Sequence, residues 1–127
     1  MSRLVLDAGA FIALDRKNRE VWGLFESARR SKRLMVTHAG IVGQVWRQPS
    51  RQARLAVALN AVAVEALTDP LAKAAGLLLA ATATADVHDS ALALICRPGD
   101  ILLTSDVGDL AVLLGGRGLL DVNIIAV

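Results

Sequence analysis

The sequence predicts an α/β fold: one domain over residues 1–127, built on a mostly parallel five-stranded sheet with helices on both faces. Three observations predict it. The chain's 127 residues leave room for a single core at roughly 100 to 200 residues per domain. Short apolar runs alternate with longer helix-type stretches. The runs are also continuously apolar, as strands covered on both faces are.

The elements follow in order. Leu4-Val5-Leu6 is the first strand, and Ala8 to Leu14 and Asn18 to Ser31 have the length and composition of helices. Leu34-Met35-Val36 is the second strand, followed by helices over Ala39 to Arg47 and Arg51 to Asn60. Ala61 to Val64 is the third strand. Asp69-Pro70 then reads as a helix start, with Asp as cap and Pro in the first helical position. Helices are expected over Pro70 to Ala81 and Val87 to Ile95, closed by the turn Arg97-Pro98-Gly99-Asp100. Ile101-Leu102-Leu103 is the fourth strand, Val107 to Leu114 the last helix, and Val122 to Val127 the fifth strand after Gly115-Gly116-Arg117-Gly118.

Composition narrows the function. A single cysteine, Cys96, excludes an internal disulfide and a thiolate zinc site and is expected to be a small buried apolar residue. The start of the chain lacks the regions of a secretory signal. The longest apolar run, Gly76 to Ala85, is well short of the roughly 20 residues of a membrane helix. The expected setting is the cytoplasm, with no membrane. The net charge of +2 divides unevenly: eleven bases and four acids through Arg54 (+7), then three bases and eight acids (−5). The basic half is a candidate phosphate-facing surface and the acidic half a candidate metal site.

The acids fall where chemistry is expected, because open α/β sheets bind ligands outside the carboxyl ends of their strands. Asp7 follows the first strand and Asp106 the fourth. Asp86 and Asp89 open the helix before the fourth strand, and their i, i+3 spacing puts both carboxylates on one face, with Cβ atoms roughly 5 to 6 Å apart. Asp106 and Asp109 repeat that spacing. Asp7, Asp86 and Asp106 also stand where helix N-caps stand, and Asp89 and Asp109 where first-turn acids meet the helix dipole. Like charges gathered in such numbers persist most easily around a cation, and oxygen donors without Cys or His point to Mg²⁺ or Mn²⁺. His88, between Asp86 and Asp89, is expected to face solvent. His38 and His88 lie too far apart in sequence to argue for acid–base catalysis.

The segments LVLDAGAFIAL, ADVHDSALAL and ILLTSDVGDL resemble the three carboxylate motifs of PIN-domain ribonucleases, most closely the VapC toxins of type II toxin–antitoxin systems. The resemblance covers essentially the whole chain. It implies strand order 3-2-1-4-5, Mg²⁺-dependent endoribonuclease activity, neutralisation by a cognate antitoxin, and a homodimer. Carried over, Asp7, Asp89 and Asp106 match metal-binding acids and Thr104 the hydroxyl residue of the T-x-D motif. Where the family carries a Glu after the second strand, this chain has Gln44, which is uncharged and no effective base; Asp86 is the candidate to restore the charge. The expected site is therefore Asp7, Asp86, Asp89, Asp106, Thr104 and Gln44, with the four Asp as metal ligands.

The RNA surface is expected on the basic half, at Arg16, Lys17, Arg47 and Arg51, through phosphate contacts that carry no sequence information. With 3% aromatic residues, stacking platforms for bases are not expected; Trp22, Phe11 and Phe25 read as core or interface residues and Trp46 as core. Gly at position 9 excludes the second Asp of a haloacid-dehalogenase-like phosphatase, and the acidic pair and late Lys of a receiver domain are absent. The remaining alternative is a catalytically weakened or inactive PIN domain that binds antitoxin or RNA.

Overall fold

The sheet forms around β1 (Leu4–Leu6), whose three residues are all buried. The computed structural model describes residues 2–127. Two helices, α1 (Ala8–Asp15) and α2 (Arg19–Arg30), lead to β2 (Met35–His38). Next come α3 (Ala39–Val45), a 3₁₀ turn at Pro49–Arg51, α4 (Ala53–Asn60) and β3 (Ala63–Glu65). The second half runs through α5 (Asp69–Thr82), α6 (Val87–Ile95), β4 (Asp100–Thr104), α7 (Val107–Gly116) and β5 (Val122–Ala126). The strand order is β3-β2-β1-β4-β5, and every pair is parallel. This is the order that the resemblance implies.

From β1 the chain steps through β2 to β3 at one edge, then crosses to β4 and β5 at the other. Right-handed crossovers in opposite directions put the two helix sets on opposite faces. The packing agrees: α1 lies against α2, α3 and α4, while α5, α6 and α7 lie against one another. Between them Leu6, Phe11, Leu14, Phe25, Ile41, Leu92, Leu102 and Leu103 are wholly buried, and Cys96 is a buried free thiol among them. Among the described residues no single helix is long and apolar enough to cross a membrane.

Several boundaries differ from expectation for identifiable reasons. Strand β2 continues past its apolar run because Thr37 and His38 pair with Val64 and Glu65, and the Thr37 hydroxyl finds a buried partner in the Leu6 carbonyl at 2.8 Å. The cap of α5 is Thr68, whose side chain accepts the Leu71 N–H; Asp69 is already helical. No continuous helix starts at Arg51. Buried Gln52 interrupts it, its amide oxygen accepting the N–H groups of Arg47 (2.9 Å) and Gln48 (2.8 Å) while its nitrogen donates to the Val45 carbonyl. That bracket turns the chain outward after Val45, so Trp46 is 39% exposed rather than in the core. The edge strands β3 and β5 are only partly covered, although their sequences are as apolar as the buried ones.

At the sheet end opposite the carboxyl ends of the strands, two arginines fasten α6. Buried Arg3 grips Asp100 through both carboxylate oxygens (3.1 and 2.7 Å) and donates to the Ile95 carbonyl. Arg117 donates to the carbonyls of Ala93, Leu94 and Cys96. These are the carbonyls a helix C-terminus leaves without internal partners. Removing one member of a buried ion pair strands the other charge. Arg3→Ala is therefore expected to destabilise the fold by about 3–5 kcal/mol, against little change for exposed Arg97→Ala, as measured by urea unfolding.

Candidate functional site

Register sets the site. The pairing of Leu6 with Leu103 brings the next residues of β1 and β4 to one level, and β1 lies where the strand order reverses, between β2 and β4. The Asp7 N–H donates to the Leu103 carbonyl at 3.0 Å. Asp7 is 3% exposed. One of its carboxylate oxygens accepts the Ala8 N–H (2.7 Å), the other the Thr104 hydroxyl (2.6 Å). The same Thr104 oxygen accepts the Asp106 N–H at 2.9 Å. Thr104, fully buried, thus joins the two strand ends and holds one acid while fixing the backbone of another.

Asp86 caps α6 by accepting the His88 and Asp89 N–H groups. Asp89, one turn on, is 5% exposed. Asp106 precedes α7 but makes no side-chain cap, which leaves its carboxylate to the cluster. Oxygens of Asp89, Asp106 and Asp109 all lie within 4.8 Å of one another, spaced to hold a metal ion. The surrounding cleft of about 390 Å³ is lined by Asp7, Asp86, Asp89 and Asp106, with Gln44 of α3, Arg47 just beyond it, and Gly9 and Ser105. A Cβ at position 9 would overlap the Ser105 side chain, so the close approach of α1 to the turn after β4 requires glycine there.

The electrostatics match a cation site. Burial, followed by the negative charges of Asp7 and Asp86 and by Asp106, pushes the Asp89 carboxyl up to about 8. Burial also raises Asp7, against the Thr104 hydroxyl and Ala8 N–H that favour its charged form. The donors are all oxygen and include a buried carboxylate among like charges. A hard divalent ion fits that set.

Of the expected residues, Asp7, Asp86, Asp89, Asp106 and Gln44 line one cleft and Thr104 braces it from beneath. Arg47 is at the cleft. Arg16 lines an adjoining hollow of about 420 Å³ with Asn18 and Ser105. Lys17 and Arg51 are exposed and line neither. Asp109 was absent from the expected ligand set; its signal was the repeated i, i+3 spacing from Asp106. His88 does not face solvent. It is half-buried and its ring stacks on His38, centroids 6.0 Å apart.

No family model matches the sequence, and no curated protein matches it. Among solved structures, a chain in the crystal structure of VapBC2 from Rickettsia felis bound to a DNA fragment from their promoter superposes with a TM-score of 0.63. The match covers 98% of each chain at 9% identity. The fold is PIN-like. What the two chains share is the backbone path, and in this PIN-like sheet the acids occupy the switch point.

The raised Asp89 has a consequence for stability. Between 3.8, the ordinary carboxyl value, and about 8, the folded chain holds a proton that the unfolded chain has released, so stability falls as pH rises through that window. In EDTA the melting temperature is expected to drop between pH 5 and pH 8.5. Asp89→Asn, which imitates the protonated acid, is expected to melt higher than the unsubstituted protein at the upper pH and to flatten the drop. An unchanged pH slope in this variant would contradict the assignment.

Proposed function

We propose that the protein is a metal-dependent endoribonuclease, a toxin of the VapC kind that hydrolyses RNA and is neutralised by a cognate antitoxin. The observation that carries the reading is the buried Asp89 carboxylate, gathered with Asp7, Asp86, Asp106 and Asp109 at the carboxyl end of a parallel sheet. Its oxygen donors suit Mg²⁺, with Mn²⁺ as substitute. When bound, the ion supplies Lewis acidity to the phosphate and a lowered pKa to the attacking water.

The chain's own residues supply the remaining work. Asp89, Asp106 and Asp109 would hold the ion together with Asp7, whose carboxylate Thr104 orients, and Asp86 would complete the set at the rim. The Gln44 amide orients water without acting as a base. Arg47 contacts the phosphate at the cleft, Arg16 takes the strand into the adjoining hollow, and Lys17 and Arg51 add attraction farther out. Hydrolysis forms a P–O bond to the water oxygen and breaks the P–O bond to the leaving ribose oxygen, which takes a proton. Likeness to VapBC2 supports a protein antitoxin as partner, and the family resemblance a cytoplasmic homodimer.

A second reading is favoured by one observation, the uncharged Gln44 in the cleft: a PIN-like module that binds antitoxin or RNA without cutting. Cleavage decides between them. The purified protein is expected to cut transfer, ribosomal or messenger RNA with Mg²⁺ or Mn²⁺. Asp7→Asn or EDTA is expected to lower the rate more than about 100-fold, beyond the loss typical of an outer-shell partner. Activity surviving either would sink the metal mechanism, and no cleavage of any of these RNAs would favour the binding module.

Gln44→Glu adds a carboxylate and is expected to tighten Mn²⁺ binding in titration calorimetry; unchanged affinity would put position 44 outside the ion's surroundings. RNA affinity is expected to fall steeply between 50 and 200 mM salt. A flat series would count against the arginine surface.

A further inference from the structure

His38, the last residue of β2, is 0% exposed and lines neither the acidic cleft nor the adjoining hollow, yet both its ring nitrogens are engaged. Nδ1 accepts the Gly40 N–H at 3.1 Å and so caps α3. With Nδ1 an acceptor, the proton of the neutral ring belongs on Nε2, and burial lowers the pKa of His38, which keeps the ring neutral. The Nε2–H donates to the His88 carbonyl at 2.9 Å. That carbonyl lies in the first turn of α6, between Asp86 and Asp89. In a helix it already accepts the N–H four residues on, and a carbonyl has a second lone pair. The histidine bond therefore locates the helix rather than forming it.

The surroundings of this bond are built closely. The His88 ring stacks on that of His38 with the planes 22° apart. A Cβ on Gly40 would overlap His88 Nδ1 and come within 2.9 Å of His38 Cε1. Among the described residues, His38 is the sheet side chain that hydrogen-bonds the first turn of α6; the other bonds there run within the turn or from Ser90 to α5.

We infer that His38 is a positioning residue: its Nε2–H ties the acid-bearing turn of α6 to the carboxyl end of β2 and so sets where Asp86 and Asp89 stand relative to Asp7 and Asp106. The inference rests on the cleft being a metal site. It assigns His38 no part in proton transfer, since both nitrogens are occupied and the ring is sealed from the cleft.

The two bonds can be removed separately. Asn at position 38 places an oxygen near the ring's Nδ1 position and nothing near Nε2, so His38→Asn keeps the α3 cap and loses the tie. Gln reaches the Nε2 position with an amide nitrogen, so His38→Gln keeps the tie. His38→Asn is expected to speed amide hydrogen exchange at Asp89 and Ser90, weaken Mn²⁺ binding about 10-fold or more, and lower kcat for RNA cleavage with KM within about twofold. His38→Gln is expected to restore exchange, Mn²⁺ affinity and kcat to near the unsubstituted values. If His38→Asn folds poorly, Gly40→Ala displaces His88 from the other side and is expected to give the same loss of Mn²⁺ affinity.

Unchanged exchange and Mn²⁺ affinity in His38→Asn would overturn the inference, as would equal losses in the Asn and Gln variants. If the unsubstituted protein bound no Mn²⁺, the metal reading would fail by itself, and the exchange contrast between the two variants would still decide whether His38 holds the turn.

Discussion

The structure depends on where β1 sits. With β2 on one side and β4 on the other, all parallel, it is the strand from which connections leave in opposite directions. Two crossovers that diverge there cannot cover the strand ends, and a cleft is left open above them. The 2.6 Å bond from Thr104 to Asp7 is the local expression of this arrangement. It closes the seam between β1 and β4 and spends one oxygen of the first acid on structure. Every other acid in the cleft is delivered by a helix that starts from that seam or packs over it.

Charge is separated along α6. At its start, burial and then the neighbouring carboxylates keep the proton on Asp89 well above the ordinary range. At its end, Arg3 and Arg117 collect the carbonyls of the last turn. The unfavourable end is thus carried by a helix whose other end is held by strong, charge-assisted bonds, and the tie from His38 adds a third point of attachment. A cluster of like charges keeps its shape because the scaffold beneath it is over-determined. This is how functional sites usually retain strain.

Much of this was legible in the sequence. Continuous apolar runs gave the three central strands and alternation the parallel architecture; the positions of Asp7, Asp86, Asp89 and Asp106 just after strands or at helix starts let them meet at one end only if β1 and β4 are neighbours, an adjacency that the family resemblance supplied. What escaped were side chains whose roles are set by distant partners. Gln52 looks like any surface amide until it is seen bracketing the end of α3, and the exposure of Trp46 follows from that same bracket. His38 and His88 are separated by 50 residues, beyond any local periodicity. The strands β3 and β5 are apolar but lie at the edges, and residue type alone does not distinguish an edge from the centre. Asp109 was visible as a spacing, yet only the approach of α6 to α7 made it a neighbour of Asp89.

The seam between β1 and β4 also bears on the protein's synthesis. Thr104 and Asp7 are 97 residues apart, as are Arg3 and Asp100. A growing chain has nothing to set Asp7 against until β4 has emerged. Contacts of such long range close late, because the entropy of the intervening loop must first be overcome. A chain released between those strands carries Asp7 without Thr104 or Asp106, so the cleft, and whatever it does, waits for β4.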